Sequence, residues 1–298
     1  MTDSTTPADD VWTVQRILLW TTDFLKQKGI ESARLEAELL LAHARNCPRI
    51  LLYTEFETPL TTDERSRMRE LVKRRAAREP LAYITGHKEF YGRDFVVGPG
   101  VLVPRPETET LIDVCLDQIP KDQPTTVCEV GFGSGCIAIT LAKQRPKLSL
   151  IATDISPAAM NVAAQNVETH KVADRVQLRA GAGFEPMVQA GVVCDGIVSN
   201  PPYIREDELA GLSPEVAKHE PVEALVSGPD GLTLTRQLIS KARGLLKPGG
   251  WMILELDPAQ CETVRQLFME AGFETTRIHK DLSGHDRIVE ARLAEAES

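Results

Sequence analysis

The residues Asn200-Pro201-Pro202-Tyr203 follow an apolar run and form the stretch of this chain best suited to chemistry. Because two consecutive prolines remove two backbone donors, a strand that enters this stretch must end at about Ser199. The Asn200 side chain and the Pro201 carbonyl are then left to accept hydrogen bonds, close to the Tyr203 ring. Two acceptors and a ring suit the binding of a planar NH2 group. The alternative is a turn that only ends a strand.

A glycine-rich turn lies between a short apolar strand and a helix, and it consists of Gly131, Phe132, Gly133, Ser134 and Gly135. Glycines let backbone N–H groups at a helix N-terminus approach a ligand closely. The next strand pattern ends in Asp154, a carboxylate roughly 20 residues further on, where an acid can accept hydrogen bonds from ribose hydroxyls. The alternative for Asp154 is to cap the following helix, a role for which Ser156 competes.

Strand and helix patterns alternate from residue 125 to the end of the chain. The predicted strands are residues 127–130, 150–154, 175–178, 193–198 and 251–256, followed by a closing hairpin of residues 274–279 and 287–292. Residues 248–250 (Pro-Gly-Gly) are expected to precede the fifth strand. This alternation predicts an α/β domain with a largely parallel sheet, and ligands bind at the carboxyl edge of such sheets. Cys128, Cys136 and Cys194 are expected to pack in its core.

Residues 11–78 have helical periodicity and predict a small bundle. The expected apolar stripes and caps are Ile17, Leu18 and Leu25; Leu35, Leu39, Leu40 and Ala42 with Ser32 as N-cap; and a capping box of Thr61 with Glu64 for a helix that runs to Arg78. Residues 79–80 (Glu-Pro) are expected to end the bundle. The basic residues that dominate residues 61–80 form either a docking surface or a solvated helix face.

The segment between the two regions begins with a predicted hairpin over residues 89–97, around a glycine-containing turn. Pro106 is then expected in the first turn of a helix whose apolar positions are Leu111, Ile112 and Val114. The charged residues of this segment, Arg105, Glu107 and Glu109, either cap that helix or form the rim of a site. The sequence leaves these two roles open.

Composition excludes several classes of protein. The 298 residues carry a net charge of −9, which does not suggest a general DNA or RNA binder. The six cysteines are scattered without a C-x-x-C pair, so we expect reduced thiols and neither a disulfide framework nor a metal site. Residues 1–10 are polar and acidic, unlike a signal peptide, and no apolar run is long enough to span a membrane. We expect a cytoplasmic monomer.

The combined motifs resemble a known family. The chain is similar to the S-adenosylmethionine-dependent protein-(glutamine-N5) methyltransferases that modify peptide-chain release factors (the HemK/PrmC group). The resemblance covers nearly the whole chain, and its motifs are residues 32–40 (SARLEAELL), 79–86 (EPLAYITG), 104–109 (PRPETE), 153–157 (TDISP), 198–204 (VSNPPYI) and 230–232 (DGL). The segment 104–109 is similar to the release-factor enzymes more than to relatives that act on a ribosomal protein.

The resemblance implies a seven-stranded, Rossmann-like class I methyltransferase domain behind a small all-α N-terminal domain. The implied division is a helical substrate-docking domain (1–80), a β-hairpin linker (81–103) and a methyltransferase domain that binds S-adenosylmethionine (104–298). The implied cofactor residues are Gly131, Phe132, Gly133, Ser134, Gly135, Asp154 and Asn200. Asn200, Pro201, Pro202 and Tyr203 would hold the glutamine of a Gly-Gly-Gln loop in a release factor, with Asn200, Pro201 and Tyr203 catalytic.

Three departures from the family pattern concern the cofactor side. Phe132 stands where a small residue is usual, residues 182–183 (Ala-Gly) replace an acid and a bulky residue near the adenine, and residues 257–258 (Asp-Pro) replace a glycine, although Gln260 matches. Three other functions compete with the implied one. They are glutamine methylation of a ribosomal protein, DNA adenine methylation, which presents a similar NH2 group after base flipping, and nucleotide binding without catalysis.

Overall fold

The computed structural model describes residues 11–296, and the chain divides into two compact units between Thr85 and Gly86. Residues 1–10, which sequence analysis distinguishes from a signal peptide, lie outside the described part. Among the described residues, no helix has the length and apolar content needed to cross a membrane.

The first unit is helical. Its helices are α1 (Val14–Gln27), α2 (Ala33–Arg45), α3 (Leu51–Thr54), α4 (Thr62–Ala76) and α5 (Leu81–Thr85). The predicted stripe of α1 is confirmed, since Ile17, Leu18 and Leu25 are buried in the core of this unit. The capping box before α4 is also confirmed, because the Thr61 side chain accepts from the Glu64 N–H while the Glu64 carboxylate accepts from the Thr61 N–H.

Four local predictions for this unit are wrong or hold only in part. Leu40 and Ala42 of the predicted α2 stripe are buried, but Leu35 is 45% exposed, and Ala33 and Ala37 are buried on α2 in its place. Ser32 occupies the N-cap position, but its side chain makes no capping hydrogen bond. The bundle does not end at Pro80, since α5 follows it. Helix α4 stops at Ala76, before Arg78, whose φ of 70° is incompatible with a helix.

The second unit begins with the predicted hairpin, β1 (His87–Phe90) and β2 (Arg93–Val96). Its two-residue turn has positive φ at both Tyr91 (51°) and Gly92 (70°), as a type I′ turn requires. Buried Asn166 fixes this hairpin, because its amide exchanges two hydrogen bonds of 2.9 Å with the backbone of Val96. The same amide donates to the Ser134 carbonyl in the glycine-rich turn.

A seven-stranded sheet forms the centre of this unit. Its strands are β3 (Thr125–Val130), β4 (Leu148–Asp154), β5 (Val176–Ala180), β6 (Cys194–Ser199), β7 (Leu246–Glu255), β8 (Thr275–Lys280) and β9 (Asp286–Arg292). The order across the sheet is β5-β4-β3-β6-β7-β9-β8, with only β9 antiparallel to its neighbours. The chain leaves β3 towards one edge of the sheet and returns towards the other through β6. The carboxyl ends of β3 and β6 therefore form the topological switch point, where ligands bind in such sheets.

Helices cover both faces of the sheet. They are α6 (Thr108–Gln118), α7 (Cys136–Gln144), α8 (Pro157–Thr169), α9 (Glu185–Gln189), α10 (Pro214–His219), α11 (Thr233–Ala242) and α12 (Cys261–Glu270). The core formed with α6, α7 and α8 contains Val127 and Cys136, whereas the core formed with α11 and α12 contains Cys128 and Cys194. Successive residues of β3 thus enter different cores, as strand geometry requires. The predicted α/β class and the core positions of these cysteines are confirmed.

Two boundaries in this unit differ from prediction. Strand β7 begins at Leu246, so that the Pro-Gly-Gly sequence at 248–250 lies inside it rather than before it. A register shift between Cys194 and Gly196 of the partner strand accommodates this stretch, which contains a proline that cannot donate to the ladder. Pro106 precedes α6 by two residues, in a turn, and is not in the first helical turn.

Candidate active site

A cavity of about 570 Å³ opens at the switch point, entirely within the second unit. Of the ten cofactor and substrate residues that the resemblance implies, seven line it: Gly131, Phe132, Gly133, Ser134, Asp154, Asn200 and Pro202. Gly135, Pro201 and Tyr203 are not part of its wall. Residues 182–183, which depart from the family pattern, do line it. The fold therefore brings the glycine-rich turn, the strand-end carboxylate and the Asn-Pro-Pro stretch to one site.

The Asp154 carboxylate orders the turn that faces the cavity. Its Oδ2 accepts from the Gly133 N–H at 2.9 Å, and its Oδ1 accepts from the Ser156 N–H at 2.9 Å. The side chain of Ser156, and not that of Asp154, caps α8 by accepting from Ala159 N–H. Since a carboxylate oxygen can accept two hydrogen bonds, each oxygen of Asp154 retains acceptor capacity for a ligand.

Phe132 packs its ring away from solvent in the core and is 2% exposed. The bulky side chain at this position is therefore accommodated in the hydrophobic core. Gly133 has a φ of 53°, a left-handed conformation that turns its N–H towards Asp154. Gly131, Gly133 and Ser134 line the cavity despite the unusual phenylalanine.

The ends of β6 and β3 are joined directly by Ser199, whose buried hydroxyl donates to the Val130 carbonyl at 2.7 Å. One residue later, the Asn200 amide donates through Nδ2 to the Thr108 hydroxyl at 3.3 Å. Within residues 11–296, no donor reaches Asn200 Oδ1 or the Pro201 carbonyl oxygen. The two acceptors expected from the sequence thus remain available.

The backbone after these acceptors is held by Gln260. Its Nε2 donates to the carbonyl oxygens of Tyr203 (2.9 Å) and Asp230 (3.2 Å). Gly231 packs against the same spot with a φ of 75°, and a Cβ there would lie 2.1 Å from the Tyr203 carbonyl oxygen. Only glycine fits this approach, so the sequence Asp-Gly-Leu at 230–232 serves to close the loop around Tyr203.

The charged segment before α6 contributes to the cavity wall through Arg105 and Thr108. Arg105 donates to buried Glu220 at 2.6 Å, and the same carboxylate accepts from the Val103 N–H. Glu107 makes no capping hydrogen bond with its side chain. Of the two roles left open by the sequence, the structure places Arg105 at the rim of the cavity.

Two buried carboxyl groups were not found by sequence reasoning. Burial raises the pKa of Glu129 to about 8 and that of Glu255 to about 7. Each lies in an apolar strand that ends at this site, and buried glutamates are rare without a partner. An acidic residue inside an otherwise apolar strand is the signal that would have revealed them. Burial also raises the pKa of Tyr203 to about 12, with the Glu255 charge adding to the effect.

The sheet order and the site at its switch point define a Rossmann-like methyltransferase of class I. In agreement, residues 16–86 match the family described as PrmC N-terminal domain, and residues 108–217 match the methyltransferase small domain. The chain is 43% identical to the release factor glutamine methyltransferases of Geobacter sulfurreducens and Rhodopirellula baltica, in each case over 97% of this chain and 99% of the relative. The chain belongs to the release factor glutamine methyltransferase family.

Among solved structures, the hMettl16 catalytic domain in complex with the MAT2A 3′UTR hairpin 6 superposes with a TM-score of 0.57. The likeness covers 75% of this chain and 82% of that one at 16% sequence identity. At this identity the likeness concerns the fold alone.

Replacement of Glu129 by Gln should stabilise the fold increasingly as the pH rises from about 4.5 to about 8. The raised pKa means that folded Glu129 keeps its proton where the unfolded chain has already lost it. Stability of the wild type therefore falls with rising pH in this window, by at most about 1.4 kcal/mol per pH unit for this group. Glutamine has no such proton, so the gap between variant and wild type widens.

Denaturant unfolding of both proteins at several pH values measures this gap. Glu290→Gln is the matched control of opposite sign, because the hydrogen bond from His279 lowers the pKa of Glu290. Its stabilising contribution is present at neutral pH and is lost on acidification. A Glu129→Gln advantage that stays constant with pH would contradict the assigned burial effect.

Proposed function

We propose that this protein transfers a methyl group from S-adenosyl-L-methionine to the side-chain amide nitrogen of the glutamine in the Gly-Gly-Gln motif of peptide-chain release factors. The observation that carries this proposal is that Asn200 Oδ1, in the cavity wall, and the carbonyl oxygen of the next residue, Pro201, accept no hydrogen bond among residues 11–296. An NH2 group has two N–H bonds to match them. The names of two relatives that are 43% identical to this chain support the same substrate.

The residues around the cavity suit the proposed cofactor. Gly131, Gly133 and Ser134 would present backbone groups to its methionine part, and Asp154 would accept hydrogen bonds from its ribose hydroxyls. Asn200 would lie between cofactor and substrate. Residues 182–183, which line the cavity, would border its adenine. When bound, S-adenosylmethionine supplies an electrophilic methyl group on a positively charged sulfur.

The chain's own residues would supply positioning. An amide nitrogen is a poor nucleophile because its lone pair is delocalised into the carbonyl group. By accepting both N–H bonds, Asn200 and Pro201 would orient the substrate nitrogen towards the methyl group and raise its electron density. Positioning of this kind is worth roughly 7–11 kcal/mol in favourable intramolecular reactions. Pro202 and Tyr203 would shield the reacting atoms from water, and the proton can leave after transfer.

The two units would divide the work. The helical unit, placed at residues 1–80 from the sequence, would dock the release factor, and residues 81–103 would connect it to the methyltransferase domain at 104–298. The exposed apolar side chains of the first unit support a docking role, since Ile50 is 68% and Leu19 54% exposed.

Hydrogen exchange of the backbone amides tests this docking role. Exchange in α1–α4 should become slower when release factor is added, and unchanged exchange would contradict docking there. We further propose that the protein acts as a cytoplasmic monomer.

Incubation of the protein with labelled S-adenosylmethionine tests the substrate directly. A folded release factor, a mixture of ribosomal proteins and double-stranded DNA would be supplied in parallel. We expect label on the release factor, with peptide mass spectrometry placing one methyl group on the glutamine of Gly-Gly-Gln. Labelled DNA or ribosomal protein with an unmodified release factor would overturn the proposal.

Asp154→Asn should weaken cofactor binding. The change keeps one acceptor oxygen for the turn but removes the charge that strengthens hydrogen bonds from the ribose, a loss of about 1.5–3 kcal/mol. Calorimetric titration with S-adenosylmethionine measures it. Asp195→Asn is the matched control, since Asp195 also accepts a backbone N–H at a strand end but lies outside the cavity wall. Equal affinities for Asp154→Asn and wild type would refute the ribose assignment.

Asn200→Ala should leave the fold intact and lower kcat. Loss of one preorganised hydrogen-bond partner typically costs about 10²–10³-fold in turnover. Asn200→Asp retains an acceptor oxygen and should keep partial activity. Single-turnover assays at saturating cofactor measure both variants, with Asn161→Ala, an exposed site on α8, as control. Wild-type turnover by the alanine variant would rule out the role assigned to Asn200.

A further inference from the structure

Glu255 lies at the carboxyl end of β7, beside the Asn-Pro-Pro stretch. Ser199 pairs with Leu254 in the parallel ladder between β6 and β7, so the residues that follow them, Asn200 and Glu255, lie at the same level of the carboxyl edge, with Glu255 still paired to Ile288 of β9. Glu255 is 1% exposed, and its Oε2 is buried without a hydrogen-bond partner among the described residues. Burial of such a group costs free energy that an apolar residue would avoid. Its presence therefore points to a function other than stability.

Thr108 connects this carboxyl group to Asn200. It is the first residue of α6, and its side chain is buried next to both groups. The Thr108 hydroxyl accepts the Asn200 Nδ2–H at 3.3 Å, which leaves the hydroxyl proton free to be donated. Thr108 and the Asn200 amide both act on the Glu255 carboxyl group and lower its pKa, against the larger effect of burial. The Asn200 NH2 group thus faces Thr108 and Glu255.

The orientation of the Asn200 amide decides whether it can bind an NH2 group. With Oδ1 towards the substrate, the Asn200 amide accepts a hydrogen bond from the substrate NH2 group. If the amide were rotated by 180° about χ2, its own NH2 group would face the substrate NH2 group, and two donors cannot form a hydrogen bond. Its hydrogen bonds must therefore be fixed from behind. A carboxylate can fix them because it only accepts, whereas a neutral carboxyl group or amide can also donate.

We propose that Glu255 is a positioning residue that, together with Thr108, holds the Asn200 NH2 group away from the substrate and so turns Asn200 Oδ1 towards the substrate amide. The inference rests on the proposed function and adds an ionisable group to its site. The carboxylate also polarises the Asn200 amide through the hydrogen bonds, which increases the negative charge on Oδ1.

The charged form of Glu255 is the one that serves this role. Arg287, on the neighbouring strand β9, favours the charged form, while Glu107, just before α6, disfavours it. Tyr203 and Cys136 also respond to the charge of Glu255, but burial raises the pKa of each to about 12. Burial raises the pKa of Glu255 to about 7 and that of Glu129, the other buried carboxyl group that acts on Cys136, to about 8, so the Glu255→Gln variant is needed to assign an inflection near pH 7. Turnover should rise with pH through this value.

The test measures kcat at saturating cofactor and release factor across pH for wild type, Glu255→Gln and Thr108→Val. We expect Glu255→Gln to lower kcat by about tenfold or more, as for loss of a preorganised electrostatic partner. We also expect it to remove the inflection near pH 7 and to leave the Kd of S-adenosylmethionine nearly unchanged. Thr108→Val should lower kcat, and Thr108→Ser should restore most of the loss. Glu290→Gln, at a partly buried carboxylate, and Thr235→Val, at a buried hydroxyl, are the matched controls, because both positions lie outside the cavity wall.

The outcomes separate this inference from the proposed function. If wild type does not methylate the release factor, the proposed function fails. If wild type is active, then wild-type turnover in Glu255→Gln, or an inflection that persists in this variant, overturns the role of Glu255 alone. If Glu255→Gln does not fold, the wild-type pH profile and the variants Thr108→Val and Thr108→Ser still test the inference. A wild-type kcat that does not change with pH, or a Thr108→Val variant with wild-type kcat, would refute it.

Discussion

The divergence of the chain on either side of β3 and β6 is the constraint on which the site depends. The two strands lie side by side, but the chain leaves them in opposite directions, which opens a crevice at their carboxyl ends. The hydrogen bond from Ser199 to the Val130 carbonyl ties these ends together at 2.7 Å. It sets the distance between the glycine-rich turn that follows β3 and the acceptors that follow β6. Proline at 201 and 202 then prevents the chain from extending the sheet and filling the crevice.

Side chains from distant parts of the second unit stabilise this crevice. Asn166 holds the glycine-rich turn and the hairpin, Gln260 holds the carbonyl of Tyr203, and Glu220 holds the segment before α6. Each of these bonds joins residues far apart in the chain, and each partner is a backbone group or a charged side chain. The acceptors proposed for the substrate, an amide oxygen and a backbone carbonyl, do not themselves gain or lose a proton, which fits a reaction limited by positioning rather than by proton removal.

Much of the fold could be predicted because many of its elements depend on local sequence patterns. The alternation of strands and helices, the type I′ hairpin and the capping box of α4 depend on residues close in sequence. The exposure of Leu35 was not predicted, because the four leucines of α2 do not all fit on one helix face. The alanines that are buried on this helix carry little hydrophobic signal in the sequence. The Pro-Gly-Gly stretch inside β7 looked like a turn, since only the register shift in β6 makes room for it.

Only part of the candidate site could be predicted from the sequence. The motif residues could be identified because their types are unusual and their order follows the strands. Thr108 and Glu255 could not, because their relation to Asn200 arises only when α6 and β7 are folded against β6, and Thr108 lies 92 residues away in the chain. Nothing in the local sequence of an ordinary threonine signals such a contact. A carboxyl group in an apolar strand does give a signal, but not the identity of its neighbour.

The most direct test of the account is a crystal structure of this protein with S-adenosylhomocysteine and a release factor bound. The account predicts that the substrate glutamine NH2 donates to Asn200 Oδ1 and to the Pro201 carbonyl, each at about 2.7–3.2 Å. The Asn200 NH2 should still face Thr108. A glutamine whose nitrogen is bound elsewhere, or an Asn200 amide that presents its NH2 to the substrate, would contradict it.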